Sequence, residues 1–136
     1  MSAIVQTVDQ RRAAHAYSCV QSVEPGESLY RSYVENLPSL IVMNGLGQAV
    51  ATLRARANGR DSKAKNYKTI HEHLEGWLCR TFEGSPYFKA PSLIEAITSK
   101  GEGDYVRAHA EALAYLLWLK KFAQARIGRG KRVDDA

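Results

Sequence analysis

The sequence predicts an all-α protein: a compact, single-domain bundle of five or six helices. Apolar residues recur three and four positions apart in nearly every segment, and no segment alternates apolar and polar residues over the length of a strand. The chain has 136 residues, enough for one domain that buries roughly two thirds of its unfolded surface. We therefore expect one helical domain over residues 1–126, followed by a flexible tail of mixed basic and acidic residues over 127–136.

Three helices are predicted in the N-terminal half. The first ends before Pro25-Gly26, and its apolar stripe comprises Ala13, Ala16, Tyr17, Val20 and Val23. A short second helix covers 28–36. The third begins near Pro38, because proline is favoured in the first turn of a helix, and ends at Asn58-Gly59. Its stripe comprises Val42, Leu46, Ala49, Val50, Leu53 and Ala57, with Asn44, Gln48 and Thr52 stacked on the opposite side.

Three more helices are predicted in the C-terminal half. Asp61 or Ser62 caps the fourth helix. The apolar stripe of this helix comprises Tyr67, Ile70, Leu74, Trp77, Leu78 and Phe82. A short fifth helix covers 92–99. Asp104 caps the sixth helix, which runs over 105–126 and is apolar around most of its circumference, so we expect it in the middle of the bundle with several neighbours.

Two glycines, Gly45 and Gly47, interrupt the apolar stretch at 37–56. A dinucleotide-binding loop needs a third glycine three positions later, between a strand and a helix. Val50 occupies that position, no strand precedes it, and the apolar stripe passes through both glycines. We expect a helix whose glycines let a neighbouring helix or a partner come close, which offsets the cost of about 1 kcal/mol per glycine relative to alanine.

No arrangement of residues indicates a catalytic or metal centre. His71 and His73 are two residues apart and point about 200° apart on a helix, while His71 and Glu75 have the correct spacing but lack a third ligand nearby. We expect a solvated helix surface there. The paired Glu-x-x-His motifs of ferritin-like bundles are absent. Cys19 and Cys79 lie outside any CxxC motif and are expected to be small buried hydrophobic residues. We predict no enzymatic activity, no metal and no cofactor.

The apolar runs predict a cytoplasmic protein without a membrane partner. Residues 1–12 contain no continuous apolar core of the kind found in a signal peptide. The longest apolar run, at 112–119, is too short to cross a bilayer.

Positive charge is concentrated in two windows of a chain whose formal net charge is +5. One window contains Arg54, Arg56, Arg60, Lys63, Lys65 and Lys68, opposed only by Asp61. The other contains Lys120, Lys121, Arg126, Arg129, Lys131 and Arg132. Clustered cations are typical both of a site for a polyanion such as nucleic acid and of a solvated basic surface. Because aromatic residues suited to base stacking are scarce in the first window, backbone contact is favoured over base recognition.

Three segments resemble a known family. They are LPSLIVMNGLGQAVATLRA at 37–55, the helix with Tyr67, Leu74 and Trp77-Leu78, and YVRAHAEALAYLLWLKKFAQA at 105–125. In this order they are similar to the small helical subunit of the type III-B CRISPR effector, the Cmr complex, over about residues 11–125. The loop at 83–91 and the tail vary easily in such a family, so the resemblance does not establish filament contacts made there.

The resemblance implies a non-catalytic subunit that acts in antiviral defence. Its copies stack in a minor filament beside larger backbone subunits, which cleave the target, and its basic face contacts guide RNA and target RNA. Lys120 and Lys121 match the family's basic pair, and Arg54 and Arg56 extend its Asn-Gly-Leu helix. RNA binding by Arg60, Lys63, Lys65 and Lys68 is predicted from charge alone. The open alternatives are the small subunit of the type III-A effector, a basic module that binds an acidic protein, and an undetected metal hydrolase.

Overall fold

The computed structural model describes residues 4–130, which form six helices and no strand. The predicted all-α class and the number of helices are confirmed. The helices are α1 (Val8–Gln21), α2 (Ser28–Asn44), α3 (Leu46–Ala57), α4 (Ser62–Glu75), α5 (Leu93–Ser99) and α6 (Glu102–Arg126). A π-helical segment, Gly76–Thr81, continues α4.

The long helix α6 lies in the middle of the bundle, as its apolar circumference predicts. It packs along α1 and α2 and also contacts α4 and the π-helical segment, while α3 packs against α2, α4 and α5. The largest fully buried side chains come from four different segments of the chain: Trp77, Tyr30, Tyr87 and Tyr115. Burial of this apolar surface is the main favourable contribution to folding.

The predicted break at Pro38 is wrong. Pro38 lies inside α2, because Leu37 and Ile41 on either side of it are buried and hold the helix in place despite the missing N–H group. The chain breaks instead at Gly45, whose φ of 88° and ψ of 157° are strained for any residue with a side chain. The expectation that one apolar stripe continues through both glycines is therefore also wrong.

This break changes which side chains reach the core. Val42, predicted to be buried, is 67% exposed near the end of α2. Tyr17, predicted in the apolar stripe of α1, is also exposed. Asn44 belongs to α2, whereas Gln48 and Thr52 belong to α3, so the predicted polar row does not form one line on one helix.

Side-chain caps fix three helix starts. Thr7 accepts a hydrogen bond from the N–H of Gln10 in a capping box, and Asp61 accepts one from Ala64 at 3.0 Å, as predicted. Ser92 caps α5 in the same way. The predicted cap of α6 by Asp104 is wrong, because α6 begins earlier, at Glu102, and Asp104 lies within its first turn.

The segment that follows α6 is partly packed. Ile127 is buried in the core, and the N–H of Gly128 donates to the carbonyl of Pro25 at 3.0 Å. The rest of the predicted tail, residues 131–136, lies outside the described residues, and its flexibility stays a prediction. Between residues 4 and 130, no helix combines the length and apolar character needed to cross a membrane.

Candidate nucleic-acid interface

The first basic window lies on the last turn of α3, on the turn that follows it and on the first two turns of α4. We call it the basic ridge, and all six of its side chains are exposed: Arg54, Arg56, Arg60, Lys63, Lys65 and Lys68. None of them forms an ion pair with any carboxylate in residues 4–130. Asp61, the acidic residue of this window, is directed at the N–H of Ala64 as a helix cap. The ridge therefore keeps its positive charge without an internal partner among the described residues.

Two members of the ridge line a groove between α3 and α4. Arg54 and Lys68 face it together with Glu72 and Glu75, and its volume is about 580 Å³. One carboxylate there is already engaged, because Glu75 accepts hydrogen bonds from Arg80 at 3.0 Å and from the N–H of Leu93 at 2.8 Å. The groove therefore mixes charges of both signs.

Arg56 is the member of the ridge that touches aromatic rings. Its guanidinium carbon lies 5.5 Å from the ring centroid of Tyr67 and 5.7 Å from that of Tyr33. Its Nη1 donates a long hydrogen bond, 3.3 Å, to the hydroxyl of Tyr67. Lys65, on α4, shares a small cavity with Glu24 and Glu27.

The second window lies on the C-terminal half of α6. Lys121 is exposed, whereas Lys120 is half-buried. Arg126 donates to the carbonyl of Val23 at 3.0 Å, and Arg129 is exposed. Lys131 and Arg132 lie outside the described residues. No hydrogen bond or ion pair within residues 4–130 joins this window to the basic ridge.

An aromatic row beside Lys121 was not predicted from the sequence. Trp118 stacks on Phe122 with ring centroids 5.7 Å apart, and Tyr17 of α1 meets Phe122 edge to face at 5.4 Å. The spacing of Trp118 and Phe122, four residues apart on α6, could have indicated the pair. Tyr17 comes from another helix, so its place in the row depends on how α1 and α6 pack.

The predicted solvated surface at His71 and His73 is wrong. His71 is 8% exposed, and Nδ1 of His73 lies 2.7 Å from the hydroxyl of Tyr30 in the core. Burial lowers the pKa of both imidazoles, in the case of His73 to about 4. Across residues 4–130, no group of three or more His, Cys, Asp or Glu side chains is placed to hold a metal ion.

The two cysteines pack in the interior and form no disulfide with each other. Cys79 is fully buried, as predicted, whereas Cys19 is half-buried. Burial raises the pKa of the Cys19 thiol and raises that of Cys79 to about 11. Neither thiol is therefore activated as a nucleophile at neutral pH.

The twin glycines bring helices close together rather than forming a loop for phosphate. The N–H of Gly47 donates to the hydroxyl of Tyr105 at 2.9 Å. A Cβ atom at Gly45 would lie 3.1 Å from that hydroxyl, and one at Gly47 would lie 3.3 Å from a methyl group of Ile97. The expectation of close approach by a neighbouring helix is confirmed.

The described residues form a small, all-helical domain in which the six exposed cations of the basic ridge make no ion pair. Comparison with known proteins identifies the family. Residues 8–126 match the family model for CRISPR-associated protein (Cas_Cmr5), so the chain belongs to the Cmr5 family.

A protein sequence and a solved structure agree with this family. The chain is 31% identical over 125 residues to the CRISPR system Cmr subunit Cmr5 of Thermus thermophilus, and the match covers 90% of this chain and 98% of that protein. Its fold is similar to the X-ray crystal structure of a CRISPR-associated Cmr5 family protein from Thermus thermophilus. That match has a TM-score of 0.70 at 31% identity, and it covers 90% of this chain and all of the other.

Proposed function

We propose that the chain is a non-catalytic structural and RNA-binding subunit of a type III-B CRISPR effector, the Cmr complex, and acts in antiviral defence in the cytoplasm. In this proposal its copies stack in a minor filament beside the other Cmr subunits and contact the backbones of guide RNA and target RNA. Family membership supports the place in the complex. The basic ridge, whose six cations form no ion pair within residues 4–130, is the observation that carries the RNA-binding role.

The charge of the ridge supports phosphate contact rather than base recognition. Lys and Arg side chains that neutralise phosphates release condensed counterions, which favours binding of any sequence and makes the affinity fall steeply with salt. The two aromatic rings at the ridge, Tyr33 and Tyr67, are buried beneath Arg56 and are not available for stacking with bases. Base identity in such a complex is then read by pairing between guide and target.

Exposed apolar side chains support contacts with other subunits or with further copies of the chain. Val42 and Met43 project at the end of α2, and Val106 and Leu117 project from α6, all of them more than half exposed. Exposed apolar residues near one another are typical of protein interfaces. The closeness of the α2 end to the start of α6 follows from the contact between His109 and the carbonyl of Ile41.

The absence of enzymatic activity is supported by the state of the nucleophiles and bases. Burial lowers the pKa of the imidazoles of His15, His71 and His73, which makes them weaker bases, and raises the pKa of the thiols of Cys19 and Cys79, which keeps them protonated at neutral pH. An activated nucleophile requires an accessible side chain with a base beside it.

Charge reversal in the assembled complex tests the proposed RNA contact. Replacing Arg54, Arg56 and Lys63 by Glu together should weaken capture of target RNA and flatten its dependence on salt, while folding persists. The matched control reverses three exposed cations outside both basic windows, Lys89, Lys100 and Arg107, and so gives the same net charge. Capture by the control should stay near that of the wild-type complex, measured over a series of salt concentrations.

Nuclease treatment separates RNA binding from a purely protein-mediated role. If partner binding survives complete removal of RNA and no guide RNA copurifies with the tagged chain, the chain is a protein-interaction module with a basic surface. Equal capture by the ridge variant and the control variant would also argue against RNA contact at the ridge.

A further inference from the structure

We infer that Arg56 is a preorganised phosphate-binding residue of the basic ridge, held in its binding position by Tyr33 and Tyr67. This inference rests on the RNA-binding role proposed above and identifies which cation of the ridge contributes most to it. The six cations are alike in charge and exposure, but their surroundings differ.

Three helices converge on the guanidinium group of Arg56. Arg56 belongs to α3, Tyr33 to α2 and Tyr67 to α4. The two rings meet edge to face with centroids 5.0 Å apart, and the guanidinium carbon lies within 5.7 Å of both centroids. A guanidinium group within about 6 Å of a ring centroid is attracted by the ring quadrupole. The hydrogen bond from Nη1 to the hydroxyl of Tyr67, although long at 3.3 Å, further restricts the rotation of the guanidinium group.

The rings themselves are firmly placed. Tyr33 and Tyr67 are 8% and 9% exposed, so neither ring can swing away without disturbing the core. Burial raises the pKa of Tyr33, so its hydroxyl stays neutral and supplies no counter-charge. Arg56 therefore keeps its full positive charge and, with one Nη1 bond made, keeps other N–H donors for a ligand.

The other five ridge cations lack such support. The side chains of Arg54, Arg60, Lys63, Lys65 and Lys68 make no hydrogen bond, ion pair or cation–π contact within residues 4–130. Each must be immobilised when it binds a phosphate, which weakens binding by about two- to tenfold per side chain. Arg56 has already lost part of that freedom on folding. Its planar fork also matches two phosphate oxygens, which a lysine cannot do.

Three Arg→Lys variants at constant charge test the inference. Arg56→Lys, Arg54→Lys and Arg60→Lys are compared in the full-length chain by anisotropy of a labelled single-stranded oligouridylate RNA at low salt. Arg56→Lys should weaken binding by about two- to tenfold, whereas the other two should change it by less than about twofold. The slope of log affinity against log salt should be the same in all four proteins, because the number of positive charges is unchanged.

A double-mutant cycle with Tyr67→Phe separates positioning of Arg56 from a purely structural contact. The Phe ring keeps the packing but removes the acceptor for Nη1. Tyr67→Phe should weaken RNA binding in the wild-type background and have no further effect in the Arg56→Lys background. A purely structural role would lower the midpoint of thermal unfolding equally in both backgrounds and leave the affinity of the folded protein unchanged.

The outcomes distinguish this inference from the function on which it rests. Salt-dependent RNA binding with equal losses in the three Arg→Lys variants overturns the special role of Arg56 and leaves the RNA-binding function intact. Additive effects of Tyr67→Phe and Arg56→Lys on RNA affinity do the same. Failure of the wild-type chain to bind RNA, both alone and in the assembled complex, overturns both.

Discussion

The hydroxyl of Tyr30 lies 2.7 Å from Nδ1 of His73, between α2 and α4. The two rings meet edge to face, with centroids 5.6 Å apart. Burial, with a smaller contribution from the nearby His15, lowers the pKa of His73 to about 4. The half-buried imidazole is therefore neutral at pH 7 and is held by a hydrogen bond rather than by an ion pair.

Lowering the pH should reduce the stability of the fold, because His73 is protonated more readily in the unfolded chain than in the folded protein. Between pH 6.5, the ordinary pKa of histidine, and about pH 4, the unfolded chain binds a proton at residue 73 and the folded chain does not. The free energy of unfolding should therefore fall as the pH falls through this range, by up to about 3 kcal/mol for His73. His15, whose pKa is also lowered by burial, acts in the same direction. Urea denaturation at a series of pH values measures the effect.

The variant His73→Gln isolates the contribution of this residue. Glutamine does not titrate, so the variant should be less stable than the wild type at pH 7 but should lose less stability on acidification. Equal pH slopes for the two proteins would show that other groups dominate the acid sensitivity.

The sequence was sufficient to predict the features that depend only on residues close together along one helix. The spacing of apolar residues indicated the helical class, and Asp61 could be recognised as a cap because its acceptor geometry involves only the next turn. The exposure of the basic ridge could also be predicted from the sequence, since long cationic side chains are rarely buried.

Features that depend on packing between distant segments could not be predicted. The break at Gly45 is accompanied by the contact with Tyr105, which comes from a helix nearly sixty positions later in the chain. The burial of His73 depends on Tyr30 from α2. In the same way, Arg56 is one of six similar cations in the sequence. Its contacts with Tyr33 of α2 and Tyr67 of α4 depend on how these helices pack against α3.

Gly45→Ala should destabilise the protein by about 1–3 kcal/mol. The φ of 88° and ψ of 157° at this position lie in a region that is almost restricted to glycine. A Cβ atom would in addition lie only 3.1 Å from the hydroxyl of Tyr105. Thermal and urea unfolding measure the loss.

Gly103→Ala provides the matched control for this substitution. Gly103 lies in the first turn of α6, and a Cβ atom there meets no atom within 4 Å. Alanine should stabilise the protein by about 0.4–1 kcal/mol because it restricts the unfolded chain at a position that tolerates a side chain. A similar loss of stability in both variants would contradict the strained conformation assigned to Gly45.

Glu111→Ala should destabilise the protein by about 2–3 kcal/mol. Glu111 accepts two hydrogen bonds from Arg12, at 2.6 Å and 2.8 Å, and one from Nε1 of Trp77 at 2.9 Å. This network joins α1, α6 and the π-helical segment. The side chains of Arg12 and Glu111 are only 20% and 10% exposed. Removal of the carboxylate therefore leaves the poorly solvated Arg12 cation with Asp9 as its remaining partner, at 3.1 Å, and leaves the indole N–H of the buried Trp77 without its acceptor.

An exposed ion pair on the same helix provides a comparison for the loss expected in Glu111→Ala. Arg107 pairs with Asp104 at 2.9 Å, but its side chain is 63% exposed. Arg107→Gln should therefore change the free energy of unfolding by less than about 1 kcal/mol, because water and salt screen such a pair. Raising the salt concentration should reduce this small effect further and leave the loss in Glu111→Ala nearly unchanged, since the Arg12 and Glu111 pair is largely removed from solvent. Comparable losses in the two variants, or equal sensitivity to salt, would contradict a structural role for the buried network.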